Sequence, residues 1–303
     1  MARYSSRYWQ KPTLRHYIEF IAVWPFVAAL KFMSVDRSSN FLAATCKLLG
    51  PSLPASNRIR ENIQLVWPDI SQTRVEEIVK GVWDNFARVP NEYWHLQQIR
   101  KDQDDRIEIV GTENLELLRH SGKSGIIFTA HMGNWEMITV ALQKKNLPLT
   151  VVYRPANNPL VDACIRDWQR AGDVELVMKG RDGARRLIEV LNGERHTIML
   201  VDVRMNDGVR VPFLGLDAMT PSAPAALALR SKSLLVPVRT ERTGSAHFRV
   251  TVEKPWQPVS TGNRAADIQE TMTWVNGRIS QWIEERPEQW MWLHRRWGKN
   301  PVR

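Results

Sequence analysis

Three elements in immediate succession are predicted by Gly125-Ile-Ile-Phe-Thr-Ala-His131-Met-Gly-Asn-Trp-Glu136-Met-Ile-Thr-Val-Ala-Leu-Gln-Lys144: a strand, a tight turn and a helix. The apolar run after Gly125 has the length and composition of a strand that is covered on both faces. From Asn134 onward the apolar residues recur at the spacing of one helix face, and Asn134 is a favourable N-cap residue. His131 therefore lies where strand gives way to helix, and Glu136 lies in the first helical turn.

His131 and Glu136 are five positions apart across this turn. A helix N-terminus carries unpaired N–H groups and a partial positive charge of about half an electron, which favours a neutral imidazole. Such an imidazole accepts a proton from a hydroxyl, and a carboxylate on its other ring nitrogen fixes the tautomer. The residues therefore suggest a general base, His131, oriented by Glu136. The alternative is structural: His131 bonds a backbone carbonyl and Glu136 satisfies the helix N-terminus.

Five blocks of the chain resemble one family. The segment 131–136 resembles the His-x4-Asp/Glu motif of the glycerolipid and lysophospholipid acyltransferase superfamily, in the form typical of the late acyltransferases of lipid A biosynthesis. Blocks that resemble the same family follow in the family's order at 153–159, 181–185, 211–215 and 287–297. Because the blocks span nearly the whole chain, together they are far more specific than any one of them.

The resemblance implies transfer of a fatty acyl group from a thioester on acyl carrier protein to a hydroxyl of a lipid A precursor. In that reaction His131 is the catalytic base and Glu136 orients and charges its ring. A second possibility keeps this chemistry and changes the acceptor to a lysophospholipid, a glycolipid or an acylated amine lipid. A third possibility, suggested by charge alone, is a basic protein that binds membranes or nucleic acid without catalysis.

Substrate-binding residues are also implied by the resemblance. Arg154 is able to stabilise an oxyanion or to bind a substrate phosphate, and a surface salt bridge is a third role. Backbone N–H groups near Gly133 are the alternative oxyanion donors. Asp202 resembles the acid that opens the family's Asp-Gln pair, although position 203 is valine. The predicted substrate-binding residues are Arg154, Gly133, Asn134, Asn158, Asp202 and Arg210. Asn158 is better suited to shaping the turn before Pro159 than to touching substrate. Arg296 is a further candidate for an anionic partner, with an ordinary solvated cation as the alternative.

Strands alternate with helices from residue 106 onward. The predicted strands are 107–110, 125–129, 149–153, 174–178 and 196–201, and a helical pattern follows each of the first four. This alternation predicts an α/β fold with a mostly parallel central sheet and helices on both faces. Ligands of such sheets gather at the carboxyl ends of the strands. Because His131, Arg154 and Asp202 all follow predicted strand ends, we expect them at one edge.

The N-terminal third is predicted to be helical. We divide the chain into a membrane-associating helix at 1–34 and an acyltransferase domain at 35–303, made of a helical cap at 35–100 and an α/β core at 106–303. The apolar stretch 20–30 is shorter than the ~20 residues that a spanning helix needs. Its ends, Glu19 and Lys31, are able to snorkel, so an interfacial helix and a short or re-entrant anchor both remain open. The resemblance implies the cell inner membrane, with the catalytic domain on the cytoplasmic face.

The charge, the cysteine content and the motifs of the chain limit the classes of partner that it is expected to bind. The formal net charge of +10 favours an anionic partner: phospholipid head groups, an acidic carrier protein, a phosphorylated substrate or nucleic acid. The two cysteines, Cys46 and Cys164, form neither a disulfide framework nor a metal motif. The sequence contains no zinc-binding, Gly-rich phosphate-binding or nucleic-acid-binding signature. We therefore expect acyl carrier protein and an anionic membrane lipid or lipid A precursor as partners, with no cofactor, no metal and no nucleic acid.

Overall fold

The computed structural model describes residues 11–169, 174–193 and 195–298. The N-terminal third of the chain is helical, as predicted. Its helices are α1 (Leu14–Lys31), α2 (Val35–Leu49), α3 (Ala55–Val66), α4 (Gln72–Trp94), α5 (Leu96–Lys101) and α6 (Gln103–Arg106).

Strands and helices alternate in the rest of the chain. They are β1 (Ile107–Val110), α7 (Thr112–His120), β2 (Gly125–Thr129), α8 (Glu136–Lys144), β3 (Leu149–Tyr153), α9 (Pro159–Gln169), β4 (Val174–Met178), α10 (Arg181–Leu191), β5 (His196–Leu200), β6 (Val209–Phe213), β7 (Leu216–Thr220), α11 (Ala223–Ser231), β8 (Leu234–Arg242), β9 (Phe248–Val252) and α12 (Arg264–Glu285). A short 3-10 helix, Pro287–Gln289, follows α12.

Seven strands form the central sheet in the order β1-β9-β8-β2-β5-β3-β4. The pairings are parallel except for the antiparallel pair β8 and β9. This confirms the predicted mostly parallel α/β sheet. In the centre, β2 lies between β8 and β5, so the residues that follow β2 and β5 emerge side by side at the carboxyl edge.

Helices cover both faces of the sheet. Along β2, Ile126 and Phe128 belong to a core shared with α3, α4 and α12, whereas Ile127 belongs to a core shared with α7 and α8. Successive strand residues point to opposite faces, which is why an unbroken apolar run is needed here. The segment thus contributes to both cores at once.

A hairpin made of β6 and β7 stands apart from the main sheet and was missed by the sequence analysis. Leu214 and Gly215 form its two-residue turn, and both have positive φ (50° and 75°), as a type I′ turn requires. The signal was present as alternation: Val211 and Phe213 are buried while Arg210 and Pro212 are exposed.

The first helix, α1, packs against α2, α4 and α9 and buries Val27 and Leu30. Its other side is open, with Leu14, Ile18 and Ile21 at helical spacing and more than half exposed. Within the described residues, no helix has both the length and the apolar character that crossing a bilayer demands. The part of the predicted membrane-associating segment at 1–10 lies outside the described residues.

Candidate functional site

The candidate site lies at the carboxyl ends of β2 and β5. These strands pair in parallel with Thr129 opposite Leu200, and the Val201 N–H donates to the carbonyl oxygen of Thr129 (3.1 Å). His131 is the second residue after β2, and Asp202 is the second residue after β5. Because each residue lies two positions beyond a pair of residues that stand opposite each other, the two side chains come together. The sequence predicted this meeting at the carboxyl edge of the sheet.

Asp202 holds the imidazole of His131. Its Oδ1 lies 2.8 Å from His131 Nδ1, and its Oδ2 accepts the backbone N–H of His131 (3.0 Å). The indole N–H of Trp290 donates to the same Oδ2 (2.8 Å). An ionised carboxylate only accepts hydrogen bonds, so Nδ1 carries the proton and Nε2 is the basic nitrogen.

Asp202 is ionised although it is only 1% exposed. Burial acts to raise its pKa, but the charge of His131 and the hydrogen bonds from His131 and Trp290 outweigh burial and hold the pKa well below its usual range. The buried carboxylate is therefore a permanent negative charge beside the ring.

The pKa of His131 is raised above 6.5. Burial acts to lower it, while the charge and hydrogen bond of Asp202 and the charge of Glu136 raise it. The expectation of an imidazole kept neutral by a helix N-terminus was wrong, because two carboxylates dominate its surroundings. The helix also begins at Glu136, two residues later than predicted, and its N-cap residue is Trp135. His131 is thus a stronger base than an ordinary histidine.

Glu136 does not occupy the orienting position predicted for it. The hydroxyl of Tyr93, on α4, donates to Glu136 Oε1 (2.5 Å), and the Glu136 N–H donates to Asn134 Oδ1 (3.1 Å). The first helical turn directs the carboxylate toward α4, whereas Asp202 reaches Nδ1 from the neighbouring strand end. Glu136 acts on His131 through its charge. The sequence carried no signal for Tyr93.

Gly133 and Asn134, both predicted to bind substrate, form hydrogen bonds within the protein that support the loop. The Gly133 N–H donates to the carbonyl oxygen of Gln289 (3.0 Å), so it is not available to an oxyanion. Gly133 has φ +56°, and a Cβ there would lie 2.5 Å from the Thr240 carbonyl oxygen, which excludes larger residues. Asn134 is fully buried and donates to Glu92 Oε2 (2.8 Å).

A buried ion pair anchors that asparagine. Glu92, on α4, is fully buried and accepts from both terminal nitrogens of Arg242, at the end of β8. Arg242 Nε also donates to Asn85 Oδ1 (2.9 Å), and Asn85 Nδ2 donates to the Gly133 carbonyl oxygen (3.0 Å). A buried charge pair costs solvation unless every group is satisfied, and here the partners converge on the loop. The network fixes the backbone just after His131.

The C-terminal block 287–297 lies directly against the loop. Met132 and Trp290 form an antiparallel bridge, and the Met291 N–H donates to the His131 carbonyl oxygen (3.1 Å). His294 places its ring 5.9 Å from the ring of His131. The block therefore supplies both a backbone support for His131 and the indole that bonds Asp202. Trp290 lies in the block at 287–297, for which the sequence predicted no contact with Asp202.

A cavity of about 220 Å³ opens beside His131. Its wall combines polar and apolar side chains: Tyr93, Thr129, His131, Trp135, Glu136, Thr139, Val151, Val152, Tyr153, Arg154, Ala156, Ile165, Ile198 and Leu200. Arg154 is exposed, and its Nη2 donates to Asn157 Oδ1 (3.3 Å). Arg154 is thus the one predicted substrate-binding residue that lines this cavity.

The other predicted binding residues do not line this cavity. Asn158 Oδ1 accepts the Leu160 N–H (3.0 Å), and its Nδ2 donates to the His16 carbonyl oxygen (3.0 Å). Asn158 therefore stabilises the first turn of α9 and links this helix to α1. Arg210 is exposed on the hairpin, 4.0 Å from Asp217. Arg296 is fully buried and donates to the Met219 carbonyl oxygen (2.8 Å), so it is not a surface cation. Asp202 acts through His131. Among the described residues, no group of three histidine, cysteine or acidic side chains is arranged to hold a metal ion.

Comparisons with known proteins agree on one family. A sequence model described as bacterial lipid A biosynthesis acyltransferase matches residues 8–299. A lipid A biosynthesis acyltransferase of Haemophilus influenzae is 24% identical over 250 residues, which cover 78% of this chain and 73% of that protein. A lipid A biosynthesis lauroyltransferase of Escherichia coli is 24% identical over 253 residues, 80% of this chain and 79% of that protein.

Two further proteins are more distant or partial matches. A phosphatidylinositol mannoside acyltransferase of Mycolicibacterium smegmatis is 26% identical over 171 residues, 54% of this chain and 55% of that protein. The crystal structure of the 1-acyl-sn-glycerophosphate acyltransferase of Thermotoga maritima covers 84% of this chain and 99% of its own, with a TM-score of 0.41 and 12% identity.

Replacing Asp202 by Asn tests which carboxylate controls the imidazole. We expect the His131 pKa to fall below 6.5 in Asp202→Asn, because burial then outweighs the remaining charge of Glu136. In Glu136→Gln the pKa should fall by less. NMR titration of the His131 ring protons measures both. A larger fall in Glu136→Gln than in Asp202→Asn would contradict this assignment.

Proposed function

Because the chain belongs to the bacterial lipid A biosynthesis acyltransferases, we propose that it transfers a fatty acyl chain from a thioester on acyl carrier protein to a hydroxyl of a lipid A precursor. One observation carries the proposal: a histidine with a raised pKa, held at Nδ1 by buried Asp202, lines a cavity with mixed polar and apolar walls. This arrangement provides a general base that takes the proton of the acceptor hydroxyl. The hydroxyl is then the nucleophile, so the reaction needs no nucleophilic side chain of the protein.

In the first step the acceptor hydroxyl gives its proton to His131 Nε2 while its oxygen bonds to the thioester carbonyl carbon. The imidazolium that forms is stabilised by Asp202, which bonds Nδ1–H (2.8 Å), and by the charge of Glu136. General-base assistance of this kind contributes about two to four orders of magnitude in rate.

In the second step the tetrahedral intermediate collapses and the carbon–sulfur bond breaks. His131 Nε2 returns the proton to the departing thiolate, so the thiol leaves neutral and the new ester remains. The same nitrogen thus serves as base and then as acid. Because Asp202 stays ionised, the ring keeps one orientation through both steps.

Arg154 is suited to the anionic part of the acceptor. It lies in the cavity wall, yet its side chain is exposed and its hydrogen bond to Asn157 is long at 3.3 Å. A guanidinium binds phosphate through two parallel N–H groups, and exposure lets a lipid head group approach it. The same cation would also stabilise an oxyanion formed next to it.

A glycolipid acceptor is a second candidate with the same chemistry. A specific observation favours it: the Mycolicibacterium relative, whose name describes a phosphatidylinositol mannoside acyltransferase, is as similar in identity as the lipid A enzymes. In addition, Val203 replaces the Gln that follows the acid in the family's Asp-Gln pair. Both acceptors are therefore compared in the acyl-transfer assay.

We further propose that the protein lies on the inner membrane, with the catalytic core on the cytoplasmic face. Support comes from exposed apolar residues, here called the N-terminal apolar group: Leu14, Ile18, Ile21, Phe32, Phe41, Leu48, Leu49 and Leu53. Such residues, together with a net charge of +10, suit an anionic bilayer surface. Asn158 bonds α1 to the segment that carries Arg154, so a lipid surface bound by α1 would lie close to the cavity.

Loss of the base should abolish transfer. Membranes that contain the wild type are offered acyl-carrier-protein thioesters of several chain lengths, with a tetra-acylated, Kdo-bearing lipid A precursor and, in parallel, a mannosylated glycolipid. We expect the wild type to add the mass of one acyl group, and His131→Ala to lose at least about a hundredfold in rate.

The matched control is His120→Ala, which removes an exposed histidine at the end of α7 and should transfer like the wild type. Acylation of the glycolipid alone would replace the lipid A assignment with the second candidate. No product from any donor would refute the proposed function.

Charge placed in the N-terminal apolar group should release the protein from lipid. We expect Ile18→Glu combined with Ile21→Glu to weaken binding to anionic vesicles at least about tenfold, because two apolar side chains no longer enter the bilayer surface. Vesicle flotation measures this. Val259→Glu, at an equally exposed apolar site outside the group, should float like the wild type. Unchanged flotation of the double variant would contradict the placement.

A further inference from the structure

Tyr153 ends β3 and lines the same cavity as His131 and Glu136. Its side chain is only 8% exposed, and its hydroxyl oxygen has no hydrogen-bond partner among the described residues. Tyr153 belongs to the block at 153–159 and takes no part in the proton transfers of His131.

A buried hydroxyl without a partner destabilises a folded protein, so native structures rarely retain one. The other tyrosine of this cavity, Tyr93, is bonded to Glu136 at 2.5 Å. Thr197 is also buried without a partner in the described part of the chain, but it does not line the cavity. Phenylalanine would fill the position of Tyr153 without this cost. The hydroxyl therefore points to a bond made only when the cavity is occupied.

The neighbours of Tyr153 define the chemistry of that ligand. Five apolar side chains from β3, α9 and β5 line the wall with it: Val151, Val152, Ile165, Ile198 and Leu200. An alkyl chain suits such a surface, whereas a phenol donates to an oxygen. A group that offers both is an acyl chain with its carbonyl.

We propose that the Tyr153 hydroxyl donates a hydrogen bond to the carbonyl oxygen of an acyl group bound in this cavity. The inference rests on the proposed function and adds a substrate contact to it. The carbonyl belongs either to the thioester donor or to an acyl chain that the acceptor already carries. Loss of the contact changes a different kinetic parameter for each source. The donor carbonyl becomes an oxyanion during the reaction, whereas the acceptor carbonyl does not.

The test is Tyr153→Phe, which removes only the oxygen. Loss of one neutral hydrogen bond lowers kcat/KM about three- to tenfold. A contact with the donor carbonyl lowers kcat, whereas a contact with the acceptor raises the KM of the acceptor. Because the hydroxyl is unpaired in the unliganded protein, the unfolding midpoint should be unchanged or higher.

Thr197→Val is the matched control, since it removes an unpaired buried hydroxyl outside the cavity, and its kinetics should equal the wild type. Wild-type values of kcat and both KM values in Tyr153→Phe would overturn the proposal, and so would an equal loss in Thr197→Val. A direct binding measurement separates this inference from the proposed function. If the wild type transfers no acyl group, a long-chain acyl pantetheine thioester is titrated instead. Weaker binding to Tyr153→Phe than to the wild type supports the contact, and equal binding refutes it.

Discussion

The hydrogen bond between His131 Nδ1 and the buried carboxylate of Asp202 is the contact on which the site depends. It selects the tautomer, keeps Nε2 basic and raises the pKa of the ring despite burial. Removing either partner would leave the other as an unpaired buried polar group, which is costly. The parallel pairing of β2 and β5 supplies the geometry, because it brings two residues from distant parts of the chain to the same height above the sheet.

Much of the remaining structure keeps that contact in place. Trp290 satisfies the second oxygen of Asp202, and the backbone of the same C-terminal block supports His131 and Gly133. From the opposite side, the pair of Glu92 and Arg242 ties α4 and β8 to the loop through Asn134. Segments from the start, middle and end of the chain therefore converge on one short loop. This explains why blocks that resemble the family are spread over nearly the whole sequence.

Short-range patterns predicted most of the central sheet but neither the β6–β7 hairpin nor the partners of the site. Apolar runs and helical spacing predicted the five strands up to residue 201, and the strand ends predicted that His131 would meet Asp202. The orienting role went to Glu136 because it was near in sequence, whereas the neighbouring strand end was nearer in space. Tyr93 and Trp290 contribute through contacts between distant segments. Such contacts leave no periodic signal in a single sequence.

The pH dependence of kcat/KM for acyl transfer, compared between the wild type and Asp202→Asn, tests the central claim most directly. Neutral His131 is the active form, so the wild-type profile should fall on the acidic side of an inflection above pH 6.5. In Asp202→Asn the plateau should drop by about two to four orders of magnitude, and the inflection should move to lower pH. An unchanged plateau and inflection in Asp202→Asn would contradict the claim that this carboxylate makes His131 the base.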